Sequence, residues 1–311
     1  MRGWLKAAVC GAGLMTLAGC STNPATGRSQ FNAISPEQEI ALGVQSSPAV
    51  IQQYGGAYPD KDVQAYTTEV GKKLAAQTEG DNPKLPWEFT MLDSDVINAF
   101  ALPGGKVFFS RGLAAQLKNE AQFAGVLGHE VGHVTARHIN DQVVREQVAS
   151  IGGDVAQTLL QGRGGQLTPT LIQLGSQTVL MRYSREQELE SDALGMRYMA
   201  KAGWDPSQLR GVMEVLAAAM QGNRGTEFFS THPYPETRIQ AIESRLKGEY
   251  SDSLTRLATN EDQYQRRMLS KLRGRQTNVD FGALGDPVLW CAHCREDAQV
   301  AKAGIRAVFP Q

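Results

Sequence analysis

The chain has 311 residues, 41% of them hydrophobic and 20% charged, enough apolar material for one main domain with a substantial core. Thirty-one basic residues against 32 acidic ones give a formal net charge of -1, which excludes the basic excess that a nucleic-acid partner demands. No nucleic acid is expected.

Residues 1–19 read as an export signal rather than as part of the fold. Arg2 and Lys6 supply a positive start, and Ala7 to Leu17 is an apolar run too short to span a bilayer comfortably. The run ends Leu17-Ala18-Gly19-Cys20, which resembles the lipobox of bacterial lipoproteins, with Cys20 as the lipid-bearing first residue after cleavage. Ser21 resembles the sorting context of an outer-membrane lipoprotein, so the expected location is the periplasm of a Gram-negative cell, with the membrane as a partner through Cys20. The mature chain then keeps only Cys291 and Cys294, a pair suited to a local disulfide and too few to staple the fold.

Residues 20–34 are polar and turn-rich, as a flexible tether between lipid and domain should be. Ser35-Pro36-Glu37-Gln38 has the cap, proline and glutamine of a helix start, and a second helix is expected over Val63 to Gln77. Trp87 to Leu92 and Val96 to Leu102 carry strand-like residues. Pro103-Gly104-Gly105 then turns the chain into Lys106 to Ser110, which predicts a hairpin.

From Lys118 to about Asn140, Phe123, Leu127, Val131 and Val134 recur at helical spacing. Gly162, Gly164 and Gly165 mark a loop, and further helices are expected from Ser184 to Ala202, after Asp205-Pro206, and from Pro235 with Ile239, Ile242 and Leu246 as its apolar stripe. Gly248 to Gln311 reads as one more helix and a weakly patterned tail. Its basic residues Arg266, Arg267, Lys271, Arg273 and Arg275 suit a solvated face.

The chemistry sits in His129-Glu130-Val131-Gly132-His133. Residues i and i+4 lie about 40° apart around a helix, so one metal ion can touch both imidazoles. Glu130 is placed to reach a water beside that metal, the mechanical content of the H-E-x-x-H pattern. His138 falls about half a turn from His129 on a continuous helix and is not counted as a ligand. A catalytic zinc needs a third protein ligand. The helix from Ser184 offers Glu188 and Asp192 at i and i+4, so one can bind metal while the other supports a ligating histidine. Glu186 and Glu190 are left to a solvated charged face.

HEVGH, the later ELESDALG, the earlier NAFALPGGKVFFSRGL and the following STHPYPETRI, in that order, resemble the zinc metallopeptidase family that includes HtpX and the CAAX prenyl proteases. Within it, the periplasmic BepA-like lipoprotein branch is most similar, and the resemblance covers roughly Val63 to Lys247. It implies an α+β, predominantly helical, zincin-like fold over residues 35–247, with a small hairpin sheet before the motif helix and a C-terminal extension at 248–311. It implies one Zn2+ held by His129, His133 and Glu188, with Asp192 in support and Glu130 as the catalytic base. His232, in Thr231-His232-Pro233, matches a family histidine near the metal that either stabilises the oxyanion or closes the site as an extra ligand. Arg238 matches the family's THPxxxxR pattern and is expected to pair with a carboxylate.

If one strand of the hairpin is a sheet edge, an extended polypeptide can add to it through main-chain hydrogen bonds, with Asn98 as the residue to test. The function implied is zinc-dependent endoproteolysis of misfolded or unassembled envelope proteins. The competing reading is a chaperone-like assembly factor that works with the outer-membrane assembly machinery and cleaves rarely.

Overall fold

In the computed structural model, residues 20–149, 182–221, 228–233, 235–251 and 254–272 are described. The expected signal at 1–19, the glycine loop near Gly162, Arg273, Arg275 and the Cys291/Cys294 pair lie outside them.

The chain opens with strands β1 (Cys20–Thr22) and β2 (Ser29–Phe31), which pair antiparallel. This is a correction to the flexible tether. Residues 20–34 form a hairpin and a following segment bonded to the domain, because their side-chain amides find carbonyls there: Asn23 Nδ2 donates to the Thr135 carbonyl at 2.9 Å and Gln30 Nε2 to the Ala136 carbonyl at 2.6 Å.

Helix α1 (Pro36–Gln53) starts at Ser35 with both halves of the capping box made, and α2 (Lys61–Ala75) is capped by Asp60. A three-stranded sheet follows, with β3 (Glu88–Leu92), β4 (Ala99–Leu102) and β5 (Lys106–Ser110) in the order β3-β5-β4. The expected hairpin is β4–β5, and β3 joins it parallel to β5. Its turn needs Gly104, whose φ is +72° and whose missing Cβ would fall 2.4 Å from the Ile40 backbone.

Both sheet faces are covered, and the period of two sorts the residues. Phe89, Met91, Ala99, Ala101, Val107 and Phe109 join the main core with α2 and the motif helix, while Leu92, Phe100, Leu102 and Phe108 join Val50 and Tyr54 on the α1 side.

After the short α3 (Arg111–Ala114) comes the motif helix α4 (Glu120–Thr135), in which every residue except Val134 is buried. The single helix expected from Lys118 to Asn140 is broken. Arg137 adopts a left-handed backbone, φ 56°, and α5 (His138–Ala149) starts in a new direction. Arginine carries no sequence signal for that conformation. Its side chain holds the break, with Nε on the Glu39 carboxylate at 3.0 Å and Nη2 on the Ile34 carbonyl at 2.7 Å.

Helix α6 (Arg185–Lys201), capped by Ser184, crosses α4, and α7 (Gln208–Gln221), the single-turn α8 (Phe228–Thr231) and α9 (Pro235–Gly248) complete the helical layer. Asp205 caps a turn at Ser207 rather than starting α7 directly. The result is the expected α+β class, predominantly helical with small sheets. Among the described residues no helix is long and apolar enough to cross a membrane.

The stretch after Gly248 returns to the core through α10 (Glu261–Tyr264), the π-helical turn Gln265–Leu269 and α11 (Ser270–Leu272), with Tyr264 and Met268 fully buried. Two of the basic residues read as a solvated face make exposed ion pairs there: Arg267 bonds Glu69 and lies over the Tyr66 ring, and Lys271 meets Asp62. Glu120, at the start of α4, ties this stretch down. Its oxygens accept from Tyr66 Oη (2.6 Å), Trp204 Nε1 (2.7 Å), Asn260 Nδ2 (2.7 Å) and Gln263 Nε2 (2.8 Å). A Glu120→Gln side chain turns an NH2 group toward two of these donors. The urea midpoint should fall by the equivalent of about 1–3 kcal/mol, measured by denaturation at constant m-value.

Candidate metal centre

The site is assembled where α4 and α6 touch. Small residues allow the approach: a Cβ on Gly132 would sit 2.7 Å from Ser191 Oγ, and one on Gly195 would sit 2.9 Å from the His129 amide nitrogen. Helices this close carry His129 and His133 on one side and Glu188 and Asp192 on the other. The Ser191 hydroxyl donates to the His129 carbonyl and locks the crossing.

Four buried side chains converge there. His129, His133, Glu188 and His232 each offer one ligand atom, and these atoms all lie within 4.8 Å of one another. The Nε2 atoms of His129 and His133 are 3.0 Å apart, and His232 Nδ1 lies 3.2 Å from His129 Nε2 and 3.0 Å from Glu188 Oε1. Imidazole nitrogens with a carboxylate are the donor set of zinc sites. The states of His133 and Glu188 also fit a metal ion. Burial keeps the His133 imidazole well below its usual pKa and so neutral. Burial alone would raise Glu188, but Arg238, His232 and His129 outweigh it and hold the carboxyl well below its usual range.

The rest of the group is oriented by charged neighbours. A carboxylate only accepts, so the 2.8 Å contact between His129 Nδ1 and Asp192 Oδ1 puts a hydrogen on Nδ1 and leaves the Nε2 lone pair facing the cluster. Arg238, fully buried, donates from Nε and Nη2 to Asp192 at 2.7 Å each and sits 2.7 Å from Glu188 through Nη1. Glu130 is also fully buried, its two oxygens have no hydrogen-bond partner among the described residues, and His232 Nε2 lies 3.5 Å away. Burial lifts its pKa above the ordinary carboxylate range.

Asn98 precedes β4, exchanges hydrogen bonds with Ser110 and donates from Nδ2 to the Tyr54 hydroxyl at 3.4 Å, while the neighbouring Ile97 carbonyl accepts from the Phe228 amide. Strand β4 is an edge of the sheet by order. A small pocket of about 10 Å³ is lined by Ala101, Pro103 and Gly104 of the hairpin and by His133 and Tyr183, among others.

Several neighbours were not legible in the sequence. Tyr183 stacks on the His133 ring at 3.8 Å and Phe228 on the His232 ring at 4.5 Å. An aromatic residue directly before the Ser184 cap is the one local hint for Tyr183. His138 stays outside the metal-facing group, but not for the reason that a continuous helix gives. The break at Arg137 brings its Nδ1 within 2.8 Å of His133 Nδ1, and its Nε2 within 2.9 Å of Glu190. Glu190 is therefore paired and not part of a solvated face.

Residues 61–246 match the model of peptidase family M48. The mitochondrial metalloendopeptidase OMA1 of Schizosaccharomyces pombe is 30% identical over 258 residues, 80% of this chain and 75% of that protein. The beta-barrel assembly-enhancing protease of Escherichia coli strain K12 is 28% identical over 234 residues, 72% of this chain and 47% of that protein. The OMA1 of Arabidopsis thaliana is 32% identical over 159 residues, 51% of this chain and 31% of that protein. The match therefore spans most of the fission-yeast relative but about half of the bacterial one.

Proposed function

The chain belongs to peptidase family M48 and is a metalloprotease, and from that premise we propose that it is a zinc-dependent endopeptidase acting on misfolded or unassembled cell-envelope proteins. The observation that carries the chemistry is the convergence of His129, His133 and Glu188 beside a buried Glu130 with no hydrogen-bond partner among the described residues.

Those three residues would hold the ion, which when bound supplies Lewis-acid polarisation of the scissile carbonyl and acidifies water. Glu130 takes the proton of the attacking water and returns it to the leaving amine. Asp192 and Arg238 hold His129 with its Nε2 lone pair exposed. The edge strand β4 is suited to receiving an extended backbone, which gives register without demanding particular side chains. Lipid on Cys20, a periplasmic location at the outer membrane and contact with its assembly machinery complete the proposal. The sequence Leu17-Ala18-Gly19-Cys20 and the likeness to the beta-barrel assembly-enhancing protease support it.

The test uses the full chain in detergent and a reduced, unfolded model protein. Dialysis against a zinc chelator should reduce cleavage to background, and stoichiometric zinc, but not magnesium, should restore it. Cleavage that survives complete zinc removal overturns the reading.

One contact favours a second reading. With His232 Nδ1 3.0 Å from Glu188 and 3.2 Å from His129, a fourth protein donor reaches the group that would hold the ion. In that reading the site is self-inhibited and the chain serves mainly as a polypeptide-binding assembly factor. His232→Ala separates the two: removing an oxyanion donor should cost about 10²-fold or more in rate, while removing a closing ligand should raise the rate.

A further inference from the structure

The two histidines of the motif are supported differently. Behind His129 stands the Arg238–Asp192 pair, wholly internal to the helical layer. Behind His133 the chain of contacts runs outward: His133 Nδ1 to His138 Nδ1 at 2.8 Å, His138 Nε2 to Glu190 Oε2 at 2.9 Å, then Glu190 to Arg28 of the N-terminal hairpin. The last step is a two-point contact, Arg28 Nε to Oε1 at 2.8 Å and Nη2 to Oε2 at 2.7 Å.

Hydrogen-bond polarity is transmitted along this line. Glu190 only accepts, so the hydrogen of a neutral His138 ring sits on Nε2 and its Nδ1 becomes an acceptor. That acceptor needs a hydrogen on His133 Nδ1. The lone pair of His133 is then confined to Nε2, the nitrogen facing His129 and Glu188. Without Glu190 the opposite arrangement is equally open, in which His133 carries its hydrogen on Nε2 and cannot ligate. Arg28 keeps the Glu190 carboxylate turned toward His138, and Asn23 and Gln30 clamp Arg28's hairpin to the carbonyls at the end of α4, those of Thr135 and its C-cap Ala136.

We infer that the N-terminal hairpin is part of the metal centre, with Arg28 acting through Glu190 and His138 as a positioning residue that fixes the tautomer and orientation of His133. The inference rests on the zinc reading above. It predicts that a contact 42% exposed at Arg28, of the kind that contributes little to stability, nevertheless governs metal binding.

The experiment compares Glu190→Gln, Arg28→Ala, Arg28→Lys and Asp141→Asn in the full chain. Asp141 is the other partner of Arg28, at 3.3 Å, and lies off the line to His133, so it controls for simple docking of the hairpin. Zinc affinity is measured by competition with a chromogenic chelator, and the visible spectrum of the cobalt-substituted protein reports ligand geometry. Glu190→Gln should weaken zinc about 10–100-fold and shift the cobalt bands, the usual consequence of removing a group that orients a ligating histidine. Arg28→Ala should weaken zinc less, Arg28→Lys should recover part of the loss, and Asp141→Asn should leave affinity and spectrum as in the parent. Should Glu190→Gln and Arg28→Ala hold zinc within twofold of the parent, with unshifted cobalt bands, the hairpin is only structural and the inference fails. A parent chain that binds neither metal overturns the zinc reading itself, a different result.

Discussion

Glu130→Gln is expected to reduce cleavage of an unfolded protein by about 10³-fold while leaving bound zinc stoichiometric and raising thermal stability. The first half follows from the role: an amide of the same shape cannot take a proton from water, and general-base contributions run to about 10²–10⁴ in rate. Zinc stays because Glu130 is not among the four residues whose ligand atoms converge. The second half follows from burial. A fully buried carboxylate with no hydrogen-bond partner among the described residues is costly to fold around, and its pKa is raised by that burial. A neutral side chain relieves part of it, by about 1 kcal/mol. Parallel measurements of metal content, single-substrate turnover and melting temperature decide the matter. A variant that loses activity together with zinc, or that melts lower than the parent, contradicts the assignment.

Arg238→Met should be the most destabilising single change at the site. The guanidinium is fully buried and meets two carboxylates, those of Asp192 and Glu188, at 2.7 Å each. Removing it leaves two buried anions short of a partner, and breaking a buried pair from one side costs about 3–5 kcal/mol. Arg238→Lys is no remedy, because a single ammonium cannot reproduce the fork that spans both acids.

The pH dependence carries a definite sign. Both carboxyls lie below their usual pKa in the folded chain, where Arg238 and His129 or His232 outweigh burial, so the stability they supply is present at neutral pH and lost as pH falls through the folded values. In the variant, acidification protonates the stranded acids and relieves them. The gap between parent and variant in urea denaturation should therefore be widest near pH 7 and narrow below about pH 4. A gap that is constant with pH is the result that sinks this account. Saturating zinc should recover part of the loss by binding the folded state, about 4 kcal/mol at a thousandfold excess over Kd.

How much of this was readable in advance depends on the range of each interaction. His129, His133 and Glu130 are local, fixed by helical spacing, and Glu188 with Asp192 repeat the same spacing on a second helix, so the sequence pattern was sufficient to nominate them. The hairpin β4–β5 announced itself through Pro103-Gly104-Gly105. What was lost depends on long-range or unsignalled geometry. A left-handed arginine at position 137 looks like any helical residue, and assuming a straight helix there pointed His138 away from the site. The polar run from Ser21 to Phe31 looks like a linker because its amides bond to carbonyls more than a hundred residues away, at Thr135 and Ala136. Glu190 reads as an ordinary surface acid for the same reason, and nothing local marks Glu120: their partners, Arg28 and His138 for the first, Trp204 and Asn260 for the second, come from distant stretches of the chain.

The bonded N-terminal segment also changes what a lipid on Cys20 would mean. A free linker of the length of residues 20 to 34 spans about 20 Å root-mean-square, which lets a domain swing through a wide volume above a bilayer. Bonded from Asn23 to Ile34, this chain has no such slack, so the enzyme would graze one thin layer of space next to its membrane, and proteins folding farther out would pass beyond its reach.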